Sequence, residues 1–470
     1  EVTRAIEATG LAYAPRVAAT TVELLDDYTA QWVRMAEDAC GAALVAQGDD
    51  TEHRRRRECL DQRLAEVGAL VEALRQPDGG MAEAAVKATA SLTTGLSACA
   101  DPRRLAAYDM ADDPELRKRL AEAHARLAKA KAQGVLGHYD QAVALATEVI
   151  EQARAAEAGP LEALGLLTRG TYRERAAEPV EAEADLRAAI DVAERHGDQG
   201  TRAQALIMLV YVVGQDRSRH AEARTLGDQA RAVLDYIDAD PLLLADLDNN
   251  LGVAARVDHD FDRALELHRR SHERRVEVLG EDHPDIGRSL LNIGTALASS
   301  REHHAEAEDY LRRALASLEQ SLGPHHPTVA TALTNLGNCL ARQGRLSEAL
   351  PLQQRALEIL DRTLGPDHVA TVGVLFNLAK VTQDAGRHTE AAALFHRGLD
   401  SRERELPPDD DRLVGWLSHL ARSEMELGRP DRARPLLERT VALRAQHGGN
   451  ALAIAREPGV PGFPTSPAAP

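Results

Sequence analysis

Residues 249–267 read "NNLGVAARVDHDFDRALEL", 291–315 "LNIGTALASSREHHAEAEDYLRRAL", 334–357 "TNLGNCLARQGRLSEALPLQQRAL" and 376–399 "FNLAKVTQDAGRHTEAAALFHRGL". One pattern is written four times, and its period decides the fold. Asn250, Asn292, Asn335 and Asn377 precede Leu251, Ile293, Leu336 and Leu378, and His419 precedes Leu420; the apolar markers are 42, 43, 42 and 42 residues apart. A second marker keeps phase at Ala264, Ala307, Ala349, Ala391 and Ala433, and weaker copies carry it back to Ala223, Ala182 and Ala142. These markers define eight units spaced by 40 to 43 residues.

Within a unit the apolar residues follow helical spacing, as in Ala307, Leu311, Ala314 and Leu318. Gly344, Gly386 and Gly428 punctuate the middle of the later units, so each unit reads as helix, tight turn, helix. A small residue seven positions after the marker (Ala189, Ala230, Ala314, Ala356, Gly398) allows close helix approach. A lone helical pair cannot bury its apolar face, so the units must stack into an all-α solenoid.

Composition agrees. A chain of 470 residues exceeds one compact core, and an array growing in one dimension accommodates it. Lys and Arg number 56 against 74 Asp and Glu, a net charge of −18 that argues against a nucleic-acid partner. The basic run 53–57, "HRRRR", reads as the solvated start of a helix. Aromatics make up 3% of the chain, a composition suited to close-packed helices. No run of eighteen apolar residues opens or interrupts the chain, so no membrane insertion is expected within it. Glu1 rather than Met stands first, which suggests a fragment of a longer protein.

The unit at 335–357 resembles a tetratricopeptide repeat: Leu336-Gly337 in the first helix, Gly344 at the turn, Ala349 opening the second helix and Ala356 seven later. The family's usual period is about 34, and the connectors "LGEDHPDI" (279–286), "LGPHHPTV" (322–329) and "LGPDHVAT" (364–371) resemble those of the longer kinesin light chain type. The resemblance implies a right-handed superhelix. It assigns residues 241–446 to five long repeats and 113–240 to three degenerate ones, after an N-terminal helical segment at 1–107 and before a disordered Pro/Gly-rich tail at 447–470. The eighth unit departs from the pattern, with His419 in place of Asn and "LPPDDDRL" in place of the connector.

Residues 9–43, 56–74 and 96–105 read as three helices outside the repeat. They resemble the segment that joins the catalytic domain to the repeat array in a group of bacterial serine/threonine protein kinases. That resemblance implies an upstream kinase domain in cis, often across a membrane helix, and leaves the compartment open between cytoplasmic and extracytoplasmic. The chain itself has no glycine-rich phosphate loop, HRD or DFG, so no enzyme is expected within these residues. Cys40 and Cys59 flank the turn near Asp49 and Asp50 at similar distances. Two readings stand open for them: a disulfide across a helical hairpin, which would imply an oxidising compartment, or two small residues in a reduced interface. Cys99 has no evident partner, and Cys339 reads as core.

His268 and His272 lie four apart on one helix, a metal-compatible spacing with no carboxylate or Cys fixed beside it, so neither a metal nor a cofactor is expected. The recurring Asn is the better functional signal. First helices line the concave face of such a solenoid, and stacking turns Asn250, Asn292, Asn335 and Asn377 into a ladder of amides. Each amide carries donor and acceptor, which suits the backbone of an extended peptide. Arg288, Asn338, Arg342, Lys380 and Arg422 stand near them, a local positive bias favouring an acidic ligand. The alternative is that the amides brace neighbouring helices; the kinesin light chain resemblance implies ligand contact. The expected function is a non-catalytic scaffold binding a peptide segment of a partner, or the sensory region of a kinase.

Overall fold

The structure, a computed structural model, describes residues 1–45, 51–76, 79–90, 92, 96–100, 105, 113–215, 219–299 and 303–446. The expected tail at 447–470 lies outside the described residues. Among those described there are twenty α-helices and no strand. They form two compact bodies, residues 1–326 and 327–470.

The N-terminal body opens with α1 (Val2–Glu7), α2 (Ala14–Val45), α3 (Thr51–Ala73) and α4 (Gly79–Ala90). Five helical pairs follow: α5 (Pro114–Val135) with α6 (Tyr139–Ala155), α7 (Gly159–Arg175) with α8 (Pro179–Arg195), α9 (Gln199–Gly214) with α10 (His220–Tyr236), α11 (Pro241–Val257) with α12 (Phe261–Leu279), and α13 (Pro284–Leu297) with α14 (His304–Leu322). The C-terminal body holds three more: α15 (Pro327–Arg342) with α16 (Leu346–Thr363), α17 (Val369–Asp384) with α18 (His388–Glu405), and α19 (Val414–Glu426) with α20 (Pro430–Gln446).

The eight marker alanines, from Ala142 to Ala433, are each the fourth residue of a second helix, and none is more than 1% exposed. Four residues on stands the side chain that fills the gap left by the first-helix glycine. A Cβ on Gly252 would come 2.8 Å from the His268 ring, one on Gly294 2.7 Å from Leu311, and one on Gly337 2.8 Å from Gln353. The Leu-Gly dipeptide is therefore a close-packing device. The connectors also have local causes. Gly280, Gly323 and Gly365 take φ of 79°, 88° and 89°, and after Gly280 and Gly365 a histidine caps the helix that follows. The Nδ1 atoms of His283 and His368 accept from the backbone N–H of Asp285 and Ala370, each at 3.2 Å.

In the N-terminal segment α2 and α3 pair, and Trp32 Nε1 donates to the Leu60 carbonyl at 2.8 Å. Of the two readings left open for Cys40 and Cys59, neither holds, because Cys59 is in a disulfide with another cysteine. With Trp32 against Leu60, Cys59 faces the neighbourhood of Trp32, about two turns before Cys40. Cys40 is exposed and free. Cys59 is instead bonded to Cys99, Cα to Cα 5.5 Å, in a buried cluster with Tyr28, Leu60, Leu96 and Leu105. Helix α3 packs on α5, and α4 on α2, α5 and α13, so the segment covers first helices of the repeats. Lys131 to Glu66 (2.6 Å), Thr20 Oγ1 to the Ser321 carbonyl (2.8 Å) and the Tyr13–His326 ring contact (5.0 Å) hold it there.

Candidate functional site

The candidate amides divide by body. In the N-terminal body Asn250 Nδ2 on α11 donates to the Ile207 carbonyl on α9 at 3.0 Å, and its Oδ1 accepts from Asn249 at 3.3 Å. Asn292 Nδ2 on α13 donates to Asn249 Oδ1 at 2.9 Å. One chain of amides thus runs across three consecutive first helices. Asn249, absent from the expected set, is its hub; the doublet Asn249-Asn250 was the signal in the sequence. Arg288 is exposed and lies 3.7 Å from Asp285.

In the C-terminal body the same positions meet other partners. By the spacing of Asn250 and Ile207, Asn377 would reach back to the Thr334 carbonyl, but Gln353 Nε2 already donates to that oxygen at 3.1 Å. The place of Asn249 is taken by Thr334, whose hydroxyl donates to the Ala330 carbonyl at 2.8 Å. Asn377 on α17 is therefore half-buried with no hydrogen-bond partner among the described residues, and Lys380, one turn on, is exposed. Asn335 is half-buried and Arg342 exposed, and both hold interactions within the protein. Asn338 Oδ1 accepts from Gln353 Nε2 at 2.9 Å, which leaves the Asn338 amino group to its other surroundings. Arg422 on α19 donates to Gln383 Oε1 and, at 3.2 Å, to Asp384.

Gln383 knits α17 to α19. Its Nε2 donates to the His419 carbonyl at 2.7 Å and to Ser423 Oγ at 2.6 Å, and its Oε1 lies 2.8 Å from His419 Nδ1. Beside it Phe376 meets Trp416 edge to face at 4.8 Å and Phe395 at 5.8 Å. A Cβ on Gly398 would fall 1.9 Å from the Trp416 ring, so the small residue at this position makes room for indole. These contacts hold the frame on which Asn377 and Lys380 are displayed.

Two carboxylates serve the N-terminal body as structural hubs. Asp185 takes a two-point contact from Arg169 (2.8 and 2.6 Å) and one from Arg173 (2.7 Å). Asp248, 0% exposed, binds Arg231 at 2.6 Å, Arg270 at 3.4 Å and Arg274. Nothing in the local sequence separates these two from the chain's other acids, because their partners come from neighbouring helices. His268 is 3% exposed and its burial pushes the imidazole down to about 4. His272 Nδ1 lies instead 2.8 Å from Ser289 Oγ, so the two rings of that metal-compatible spacing have separate roles. Among the described residues no cluster of His, Cys, Asp and Glu could hold a metal ion, and no helix is long and apolar enough to cross a membrane.

Residues 243–320, 301–362 and 328–404, and again 413–447, match the tetratricopeptide repeat family. Within those residues the helices are packed sequentially as tetratricopeptide repeats. Solved structures similar to the chain include a putative kinesin light chain with nearly identical TPR-like repeats from Podosopora anserina, 22% identical over 44% of this chain and 97% of that one, TM-score 0.39. BtubC (BKLC) from P. vanneervenii is 20% identical over 53% of this chain and 95% of that one, TM-score 0.41. A Rap protein complexed with competence and sporulation factor is 14% identical over 83% of this chain and all of that one (100%), TM-score 0.45. No curated protein matches the chain.

Proposed function

We propose that the chain is a non-catalytic interaction scaffold whose C-terminal repeats bind a peptide segment of a partner protein along their first helices. The observation that carries this is the uncommitted pair on α17, the Asn377 amide and the Lys380 ammonium, where the earlier repeats use the equivalent amide internally. An amide that accepts and donates can hold an extended backbone whatever its sequence, and a neighbouring cation selects acidic side chains. Asn335, Asn338 and Arg342 on α15 and Arg422 on α19 extend the same line; Asn250, Asn292 and Arg288 are its counterparts in the N-terminal body. The wording of residues 9–105 supports one biological setting, the regulatory region of a bacterial serine/threonine kinase whose catalytic domain lies upstream.

Selection from a displayed random-peptide library on the whole chain tests the reading. Enriched peptides are expected to be extended and acidic, and to lose binding to Asn377→Ala and to Lys380→Glu. Enrichment of peptides indifferent to both substitutions would refute this placement of the site.

A further inference from the structure

The N-terminal segment does not close flush onto the repeats. Between them lies a cleft of about 350 Å3, walled on one side by Leu70 of α3, Ala88 of α4 and Leu92, and on the other by first helices α5, α7, α9 and α11. That volume is within the range of small-molecule sites, roughly 300 to 1,000 Å3. Most of the wall is apolar, with Leu167, Ile207 and Met208 facing the segment's leucines.

Of the polar side chains that interrupt it, Thr171 and Tyr172 bond backbone carbonyls, and Thr168, Gln204 and Asp246 come one from each of three successive first helices. Thr168 is only 4% exposed, and its hydroxyl has no hydrogen-bond partner among the described residues. A threonine in a helix ordinarily returns its hydroxyl to the carbonyl four residues back, as Thr171 does at 2.8 Å in the same helix. Gln204 is exposed and equally without a partner among the described residues. Asp246 is bound on one side by Arg275 at 2.7 Å, and 44% of its side chain remains open. The protein around that opening still pushes its carboxyl up, with burial outweighing Arg275. The other charges at the cleft are mutually satisfied, since Glu66 takes both Arg63 and Lys131 at 2.6 Å.

We infer that this cleft is a binding site for a small uncharged amphipathic molecule, with an apolar body against Leu70, Leu92 and Ile207 and an N–H or O–H head toward Thr168, Gln204 and Asp246. A charged head would meet ion pairs already complete, whereas a neutral donor supplies what Thr168 and Asp246 lack. The cleft's walls belong to the N-terminal body, whereas the peptide-binding helices proposed above belong to the C-terminal body. Because its two walls belong to the segment and to the repeats, a ligand there ties them together and stabilises the folded chain.

The test uses N-phenyl-1-naphthylamine, an uncharged apolar probe with one N–H that brightens in apolar surroundings, titrated into the whole chain with a thermal melt alongside. Expected are saturable one-to-one binding, a higher melting temperature with probe, and at least a tenfold weaker affinity in Gln204→Trp, which fills the cleft from a position that carries no core packing. Thr168→Val should weaken binding about threefold while leaving the melt of the free protein unchanged. Absence of saturable binding to the wild type overturns the site. So does an unaltered affinity in a natively melting Gln204→Trp protein. Should that variant melt early, Thr168→Val and Gln204→Ala decide, and equal affinity in both overturns it.

Discussion

Asn250 and Asn377 hold the same place in their repeats, each one before the inward-packed leucine, yet they meet different surroundings. Asn250 finds a backbone carbonyl on the preceding first helix, and Asn249 beside it serves Asn292 in turn. Asn377 finds its equivalent carbonyl occupied by Gln353, and Thr334 rather than an amide stands where Asn249 would be. A repeated residue is thus a repeated opportunity, and the position before it and the residue four after the marker alanine decide its use. The two bodies differ in the same sense in their internal bracing. The N-terminal one buries Asp185 and Asp248 each among two or three arginines, and the C-terminal one, beside a buried Glu424 paired with Arg429, uses neutral Gln353 and Gln383 with the Phe376, Phe395 and Trp416 rings.

The largest effect is expected where that contrast is greatest. Asp248→Ala leaves three arginines without their shared carboxylate and should cost the N-terminal body about 3 to 5 kcal/mol, measured by urea unfolding. A loss below about 1 kcal/mol would show that those arginines find water or other acids. Acid should next distinguish His268. Its folded value near 4 lies below the ordinary 6.5, so the stability it allows is complete above about pH 6.5 and is lost as pH falls toward 4. Up to about 3 kcal/mol is at stake. His268→Gln, which borrows the residue standing at the same position in Gln353, should flatten that part of the pH profile; an unchanged profile would assign the acid loss to other groups.

Asn250→Ala should cost about 1 to 3 kcal/mol, because the Ile207 carbonyl and the Asn249 amide lose a partner in a half-buried place. Asn377→Ala should cost under about 0.5 kcal/mol. Equal losses at the two sites would erase the distinction between bracing and display. The smallest effect concerns the backbone. Ala177 holds φ of 62° at the turn where later repeats have glycine, so Ala177→Gly should stabilise by about 0.5 to 1 kcal/mol in the same unfolding assay.

The repeat was legible because its signals are local. Eight alanines in phase report the second helices, and the Leu-Gly and LGxxHP phrases report a close approach and a capped connector. The disulfide was not legible. Its register depends on Trp32 meeting Leu60 across a hairpin, and on Cys99 arriving from beyond α4, neither of which spacing about a turn contains. Asp185 and Asp248 were hidden for the same reason, since a buried carboxylate is defined by arginines on other helices. The ladder was half legible: the sequence shows which residue recurs, and only packing shows that Gln353 has taken the carbonyl that Asn377 would otherwise use.

The most direct test of the central claim joins Asn377→Ala to Lys380→Glu and sets a thermal melt beside titration with an acidic peptide recovered by display. The account predicts a melting temperature within about 2 °C of the wild type and an affinity at least about tenfold weaker. The loss should shrink as salt rises, because part of it is the exposed Lys380 charge. A melting temperature lowered by many degrees, with affinity retained by the fraction still folded, would contradict it and make α17 a brace like α11.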